Sequence, residues 1–203
     1  MGKLTGTNEV LCRFASILAI ALMALSPVTS AVLSPAWAQA GGATKGDNAS
    51  GKMTYDNGTY DGQLKDGQPN GYGVYRFKSG NRYGGQFRNG VKEGKGKFFW
   101  AASGNRYEGD WKADKRTGKG VFVWSNGDRY DGGWLNDDSS GYGVQTWANG
   151  DKYEGQWLND MANGQGTKTA ADGRTYTGTW ANGCFRQGDR WATAGASKEQ
   201  CGY

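Results

Sequence analysis

A repeat of 23 residues constrains the fold of this chain more than any other feature of its sequence. The repeat is clearest at residues 107–129, which begin with Tyr-x-Gly-x-Trp, continue to Gly-x-Gly and an aromatic stretch, and then reach Asn-Gly. Successive copies are 23, 24, 23, 23 and 23 residues apart, and they start at Tyr60, Tyr83, Tyr107, Tyr130, Tyr153 and Tyr176. A period this regular predicts an array in which each unit packs against its neighbours.

Each repeat is predicted to be a β-hairpin. Because side chains alternate between the two faces of a strand, Tyr107, Gly109 and Trp111 share one face. The glycines leave bare backbone over which the rings of an adjacent hairpin can lie. The pair Asn126-Gly127, like Asn149-Gly150, is predicted to supply the positive-φ residues of a tight turn. The predicted inter-repeat packing residues are Tyr60, Tyr83, Tyr107, Trp111, Tyr130, Trp134, Tyr153, Trp157, Tyr176 and Trp180.

The predicted fold is therefore all-β, an elongated, twisted antiparallel meander of hairpins over residues 51–192. A half repeat at residues 51–59 begins the array, and residues 193–203 form a C-terminal tail. The 36 Gly, 9 Trp and 11 Tyr residues fit short strands and tight turns, whereas a disordered chain is poor in aromatics. Lys168 and Ala170 stand where the third repeat has aromatic residues, so this end is predicted to be the less stable one unless it is closed covalently.

Residues 1–38 differ from the array and are predicted to be a helical signal peptide. Residues 14–25 are an apolar run with one Ser, and Ala36-Trp37-Ala38 offers a cleavage site before Gln39. The alternative is an uncleaved membrane anchor, since residues 14–33 span about the thickness of a bilayer. Residues 39–50 have the composition of a flexible linker. The chain is thus predicted to be exported, periplasmic or secreted, the alternative being N-terminally anchored in the membrane.

Export would permit a disulfide bond. Removal of the signal peptide takes away Cys12 and leaves Cys184 and Cys201, an even pair near the C-terminal end of the array. We predict that these two residues are bridged, the alternative being two free thiols. Two cysteines are too few ligands for a metal ion, and the chain contains no His.

The residue inventory argues against an enzyme. Without His there is no Ser-His or Cys-His pair to activate a nucleophile. The Gly-x-Gly elements recur once per hairpin and precede no predicted helix, so they are interpreted as packing glycines rather than phosphate-binding loops. We therefore predict no catalytic, cofactor or metal site and no small-molecule substrate.

Positive charge is concentrated in one half of the array. Residues 60–129 contain 14 Lys and Arg against 7 Asp and Glu, whereas residues 130–203 contain 6 against 9. Basic residues contribute about 1 kcal/mol each near an anionic membrane, so repeats two and three are a candidate surface for anionic lipid or another polyanion. A generic basic surface is the alternative. The candidate residues are Arg88, Lys92, Lys95, Lys97, Lys112, Lys115, Arg116 and Lys119.

A second set of charges is predicted to neutralise itself. Arg106, Arg129 and Lys152 each precede a repeat Tyr, and an acidic residue on the same face follows two positions later. Exposed pairs of this kind are worth about 0–1 kcal/mol. The aromatic residues outside the repeat pattern, Tyr72, Phe99 and Tyr142, are predicted to be exposed on the face opposite the rings and are candidates for glycan contact. No nucleic acid partner is expected, since packing uses most of the rings.

The combination of Tyr-x-Gly-x-Trp, Gly-x-Gly and an Asn-Gly or Asp-Gly turn resembles the MORN repeat family (membrane occupation and recognition nexus). The resemblance covers residues 51–191 and implies an elongated twisted sheet of hairpins. It also implies membrane attachment, binding of anionic phospholipid, or protein scaffolding and dimerisation, which vary among members. The leading hypothesis is a non-enzymatic scaffold of the cell envelope that binds an envelope protein or itself. The alternative is peripheral binding of anionic lipid through repeats two and three.

Overall fold

A computed structural model describes residues 49–203, so the predicted signal peptide, residues 39–48 of the predicted linker and Cys12 lie outside the described residues. The regular elements of this part are all β-strands. They are β1 (Ala49–Tyr55), β2 (Gly58–Lys65), β3 (Gln68–Phe77), β4 (Arg82–Arg88), β5 (Val91–Phe99), β6 (Arg106–Lys112), β7 (Lys115–Val123), β8 (Arg129–Leu135), β9 (Asp138–Thr146), β10 (Lys152–Leu158), β11 (Met161–Thr169), β12 (Thr175–Trp180), β13 (Cys184–Gln187) and β14 (Arg190–Thr193).

Strands β1 to β12 form one sheet in which each strand pairs with its neighbours in sequence, and β13 and β14 form a separate pair. The pairings are antiparallel throughout. The predicted all-β meander of hairpins is therefore confirmed. The first strand begins at Ala49, so the last two residues of the predicted linker belong to the sheet.

The register aligns equivalent residues of successive repeats in rows across the sheet. In one row Tyr107 pairs with Phe122, which pairs with Tyr130. In another row of the same face Gly109 pairs with Gly120. Because partners in register point to the same side, the sheet has two faces of different composition. We call the side that carries the repeat tyrosines the ring face and the opposite side, which carries Tyr72, Phe99 and Tyr142, the open face.

Turns lie at both ends of each hairpin, and the two-residue turns are at the end opposite the Asn-Gly pairs. The two residues between β8 and β9, Asn136 (φ 53°) and Asp137 (φ 81°), both have positive φ, as a primed hairpin turn requires. In the pair Asn126-Gly127 the positive φ of 97° belongs to the glycine, and the Asn126 side chain instead accepts a hydrogen bond of 3.0 Å from the Asp128 N–H. The prediction thus holds for the glycine, whose N–H donates a hydrogen bond of 3.1 Å to the Trp124 carbonyl across the turn, and not for the asparagine.

The C-terminal residues fold back onto the last repeat. Cys184 and Cys201 form a disulfide bond. The Phe185 ring packs 5.3 Å from Trp180, and the Tyr203 hydroxyl donates a hydrogen bond of 2.8 Å to the Phe185 carbonyl. The tail thus covers the ring face at the end where the repeat pattern stops.

Candidate functional site

The repeat tyrosine is the innermost residue of the ring face. Tyr107 is 1% exposed, and its hydroxyl donates a hydrogen bond of 3.1 Å to the Asp110 carbonyl. A Cβ at Gly109 or Gly120 would come within 2.4 or 2.3 Å of that hydroxyl. The ring therefore lies over glycines of its own hairpin, whereas the sequence had predicted rings of an adjacent hairpin. Burial raises the pKa of Tyr107 far above its usual value, so the phenol stays neutral.

The repeat tryptophan joins one hairpin to the next. The Trp134 indole N–H donates a hydrogen bond of 3.0 Å to the Gly120 carbonyl of the preceding repeat. Its ring meets Tyr107 and Tyr130 edge-to-face at centroid distances of 5.4 and 5.2 Å, a favourable geometry for aromatic pairs. All ten predicted packing residues are at most 9% exposed. The tyrosines thus fill each hairpin and the tryptophans connect successive hairpins.

The predicted basic surface is divided between the two faces. Lys92 and Arg116 lie on the ring face, with side chains that are 18% and 19% exposed. On the open face, Lys95 pairs with Asp110 at 2.6 Å and Lys97 with Glu108 at 2.9 Å. Lys119, Arg88, Lys112 and Lys115 are exposed. The eight candidate residues therefore do not form one continuous patch, and four of them are ion-paired.

The open face carries the predicted charged ladder in part. Arg129 pairs with Asp131 and Lys152 with Glu154, each at 2.7 Å. Glu108 pairs with Lys97 and not with Arg106. The hydroxyl of Tyr142 donates a hydrogen bond of 3.0 Å to Glu154, which raises the pKa of that tyrosine. Tyr72, Phe99 and Tyr142 are 58%, 45% and 54% exposed.

The ring face contains a groove of about 550 Å³, which we call the aromatic groove. Partly buried indoles at the ends of the return strands border it, and the buried side chains of Ser139 and Gln145 contribute polar atoms. The bordering indoles are Trp100, Trp124 and Trp147. The groove was not predicted. The sequence feature that could have indicated it is the small residue Ser139, which stands at the position where repeats two and three have Lys92 and Arg116.

Within residues 49–203, no cluster of three or more His, Cys, Asp or Glu side chains could hold a metal ion. The same part of the chain contains no helix that is long and apolar enough to cross a membrane. What the geometry offers instead is an aromatic groove on one face and an exposed surface of mixed character on the other.

Comparison with known proteins identifies the repeat. A family model described as MORN repeat matches residues 60–82, 83–104, 107–129, 130–152 and 153–173. Alsin from human and from mouse is 45% identical over 40 residues, which are 20% of this chain and 2% of alsin. The matched region is thus a very small part of that curated relative.

Two solved structures align with part of this chain. The TCP domain of SAS-4 from Drosophila melanogaster, in complex with a proline-rich motif of Ana2, has a TM-score of 0.38 and 11% identity, over 74% of this chain and 87% of that chain. The TCP10 domain of CPAP from Danio rerio, in complex with a peptide of STIL, has a TM-score of 0.31 and 10% identity, over 65% of each chain. At these scores the likeness has no bearing on what this chain binds.

Proposed function

The chain belongs to the MORN repeat family, and we propose that it is a non-catalytic scaffold that binds a partner protein in the aromatic groove. The supporting observation is that Trp100, Trp124 and Trp147 remain partly exposed beside an open space, whereas the repeat tyrosines are fully covered. Aromatic side chains around a concave site are typical of protein contacts, because they bury a large apolar area when a partner binds.

We further propose that this binding takes place in the cell envelope, with an envelope protein or a second copy of the chain as the partner. The proposal depends on the signal-like residues 1–38. The bond between Cys184 and Cys201 supports it, because disulfides persist in oxidising compartments and are rare in the cytosol.

Site-specific photo-crosslinking in cells tests the location of the binding surface. A photoreactive phenylalanine analogue is placed at Ser103, an exposed residue on the border of the aromatic groove, and separately at Tyr142 on the open face. We expect a crosslinked partner from position 103 and little or none from position 142. Mass spectrometry of the adduct then distinguishes a second copy of the chain from a different protein. Equal adducts from both positions, or adducts from 142 alone, would contradict a binding site on the ring face.

A second candidate function is attachment to anionic lipid through the open face. The observation in its favour is that exposed Phe99 lies in register between Arg82 and Arg106, an apolar ring flanked by two guanidinium groups. Neither arginine forms an ion pair with any residue in the range 49–203. Surface cations of this kind attract anionic headgroups within a Debye length.

Co-sedimentation with vesicles of phosphatidylcholine and phosphatidylserine tests the lipid candidate. The triple variant Arg82→Glu, Phe99→Ser, Arg106→Glu should lose pelleting, and salt should weaken pelleting of the natural chain. Lys92→Gln is the matched control, since Lys92 lies on the ring face and should not contribute. Pelleting that resists both salt and the triple substitution would reject lipid attachment through these residues.

A further inference from the structure

Repeat two fills the space between its own tyrosine and the tryptophan of repeat three with a side-chain cation. The Lys92 ammonium lies 5.9 Å from the centre of the Tyr83 ring and 5.0 Å from that of Trp111, which belongs to the next repeat. It also pairs with Asp114 at 3.1 Å. Two aromatic faces and one carboxylate together favour a cation, by cation–π attraction and by charge.

Repeat three repeats this arrangement with a different cation. The Arg116 guanidinium lies 5.8 Å from the Tyr107 ring and 4.2 Å from the Trp134 ring. Its Nε donates a hydrogen bond of 3.2 Å to Asp137. The space between a repeat tyrosine and the next tryptophan is therefore a socket that accepts either an ammonium or a guanidinium.

Repeat four has the socket without the cation. Ser139 pairs in register with Trp134, as Arg116 does with Trp111. Its short side chain lies beside the Tyr130 phenol and carries no cation, and Tyr130, Ser139 and Trp157 all line the aromatic groove. The position that carries a cation in the two preceding repeats thus has none here and lies on the border of the groove, with Tyr130 and Trp157 1% and 5% exposed.

The carboxylate of the socket is nevertheless present in repeat four. The Ser139 N–H donates a hydrogen bond of 2.7 Å to Asp160, just as the Arg116 N–H donates one of 2.9 Å to Asp137. Burial is the main cause that raises the pKa of Tyr130, and the nearby Asp160 carboxylate raises it further. The Asp160 carboxylate therefore has the same position relative to Ser139 that Asp137 has relative to Arg116.

The remaining repeats do not offer such a vacancy. In repeat five the equivalent residue is Ala162, and the tail occupies the space, since the Ala162 N–H donates a hydrogen bond of 3.1 Å to the Ala194 carbonyl. In repeat one the equivalent residue is Pro69, and the turn that follows β4 is Asn89-Gly90, which has no carboxylate. Among the repeats of residues 49–203, the fourth is the one that combines a vacant space with an acid.

We propose that repeat four is a binding socket for a basic side chain, arginine or lysine, of the partner protein. We call Tyr130, Ser139, Trp157 and Asp160 the repeat-four socket. The inference rests on the proposed protein-binding function and adds the chemistry of the segment that is recognised. A basic side chain entering from the aromatic groove would lie between the two rings and pair with Asp160, as Lys92 pairs with Asp114 and Arg116 with Asp137 of the following repeat. The negative charge of Asp160 and the two ring faces are complementary to that group.

The test uses the purified full chain and two blocked tripeptides, acetyl-Gly-Arg-Gly-amide and the same peptide with neutral citrulline in place of arginine. Binding is followed by the NMR signals of the indole N–H groups. We expect the arginine peptide to shift the signals of Trp134 and Trp157 with an affinity at least tenfold higher than that of the citrulline peptide. Because the probe is a defined peptide, the result does not depend on whether crosslinking finds a natural partner.

Two substitutions locate the binding. Ser139→Arg should fill the socket from within and abolish the shifts, whereas the neighbouring change Ser140→Arg places the same group on the opposite side of the strand and should leave them unchanged. Asp160→Asn should weaken binding of the arginine peptide at least tenfold, and it decides the question if Ser139→Arg does not fold. Equal shifts with both peptides, or unchanged binding after Ser139→Arg or Asp160→Asn, would overturn the proposal. Tighter binding of choline than of the arginine peptide would also overturn it, because choline has no N–H to donate to Asp160.

Discussion

The two faces of the same sheet differ because one is used for packing and the other is not. On the ring face repeats one to five place a tyrosine over their own glycines, and repeats three to six place a tryptophan against the preceding repeat, so the side chains interlock along the array. On the open face the intervening residues of the same strands form ion pairs and leave aromatic rings in solvent. Strand alternation therefore concentrates stability on one side and leaves the other free to vary.

The largest expected difference between the faces is in the truncation of an aromatic ring. Trp134→Ala removes a side chain that is 5% exposed together with its hydrogen bond to Gly120, and it should lower the free energy of unfolding by about 3–5 kcal/mol. Tyr142→Ala on the open face should lower it by less than about 1 kcal/mol. Urea unfolding followed by circular dichroism measures both. Similar losses would mean that the open face contributes to the core.

The covalent closure of the ring face has the next largest expected effect. Cys184 and Cys201 close a loop with a sequence separation of 17, and loss of such a link costs about 3 kcal/mol on the loop-entropy estimate. Cys201→Ser should therefore lower the free energy of unfolding by about that amount. A reducing agent should destabilise the natural chain but not the variant. If reduction leaves the natural chain unchanged, the bond is either absent or without effect on stability.

Two adjacent glycines provide a sharper test of the difference. A Cβ at Gly85 would come 2.5 Å from the Gly96 Cα and 2.7 Å from the Tyr83 hydroxyl on the ring face, whereas at Gly84 the nearest atom is a Val74 methyl 3.8 Å away. Gly85→Ala should cost about 1–3 kcal/mol because it overpacks the core. Gly84→Ala should stabilise the chain by about 0.4–1 kcal/mol, because it reduces the entropy of the unfolded state. Effects of the same sign and size in thermal unfolding would contradict the assignment of the faces.

The smallest expected effect is in the ion pairs of the open face. Burial opposes ionisation of Asp110, but hydrogen bonds from Lys95 and from the Lys119 N–H outweigh it and hold the pKa of Asp110 below its usual value. A lowered folded pKa stabilises the fold above the unfolded value of about 3.9, and this contribution is lost as the pH falls through the folded pKa. Asp110→Asn should therefore cost less than about 1 kcal/mol at pH 7 and nothing near pH 2. A cost that persists in acid would indicate a role other than that of the charge.

Much of the fold was predictable because the repeat period and strand alternation are local properties. They predicted the meander and the exposure of Tyr72, Phe99 and Tyr142. Alternation could also have shown that the basic residues do not share one surface. Arg116 and Phe122 are an even number of residues apart on the same strand, so both lie on the ring face. The Asn-Gly signal located a turn with a positive-φ glycine, but it did not locate the two-residue turn at the other end of the hairpin. The chain uses Asn136 and Asp137 in the tight turn instead, where the asparagine and aspartate adopt positive φ.

The sequence by itself determined the order of the strands and which residues face the core, because a regular period fixes both without reference to distant contacts. The tertiary structure alone decided where the array is left open. The cation of one repeat packs against the tryptophan of the next, and the tail returns to occupy the fifth repeat. The groove at the fourth repeat depends on where these cations, tryptophans and tail residues lie relative to one another. They are about 20 residues or more apart in the chain, so a pattern between adjacent residues does not reveal the groove.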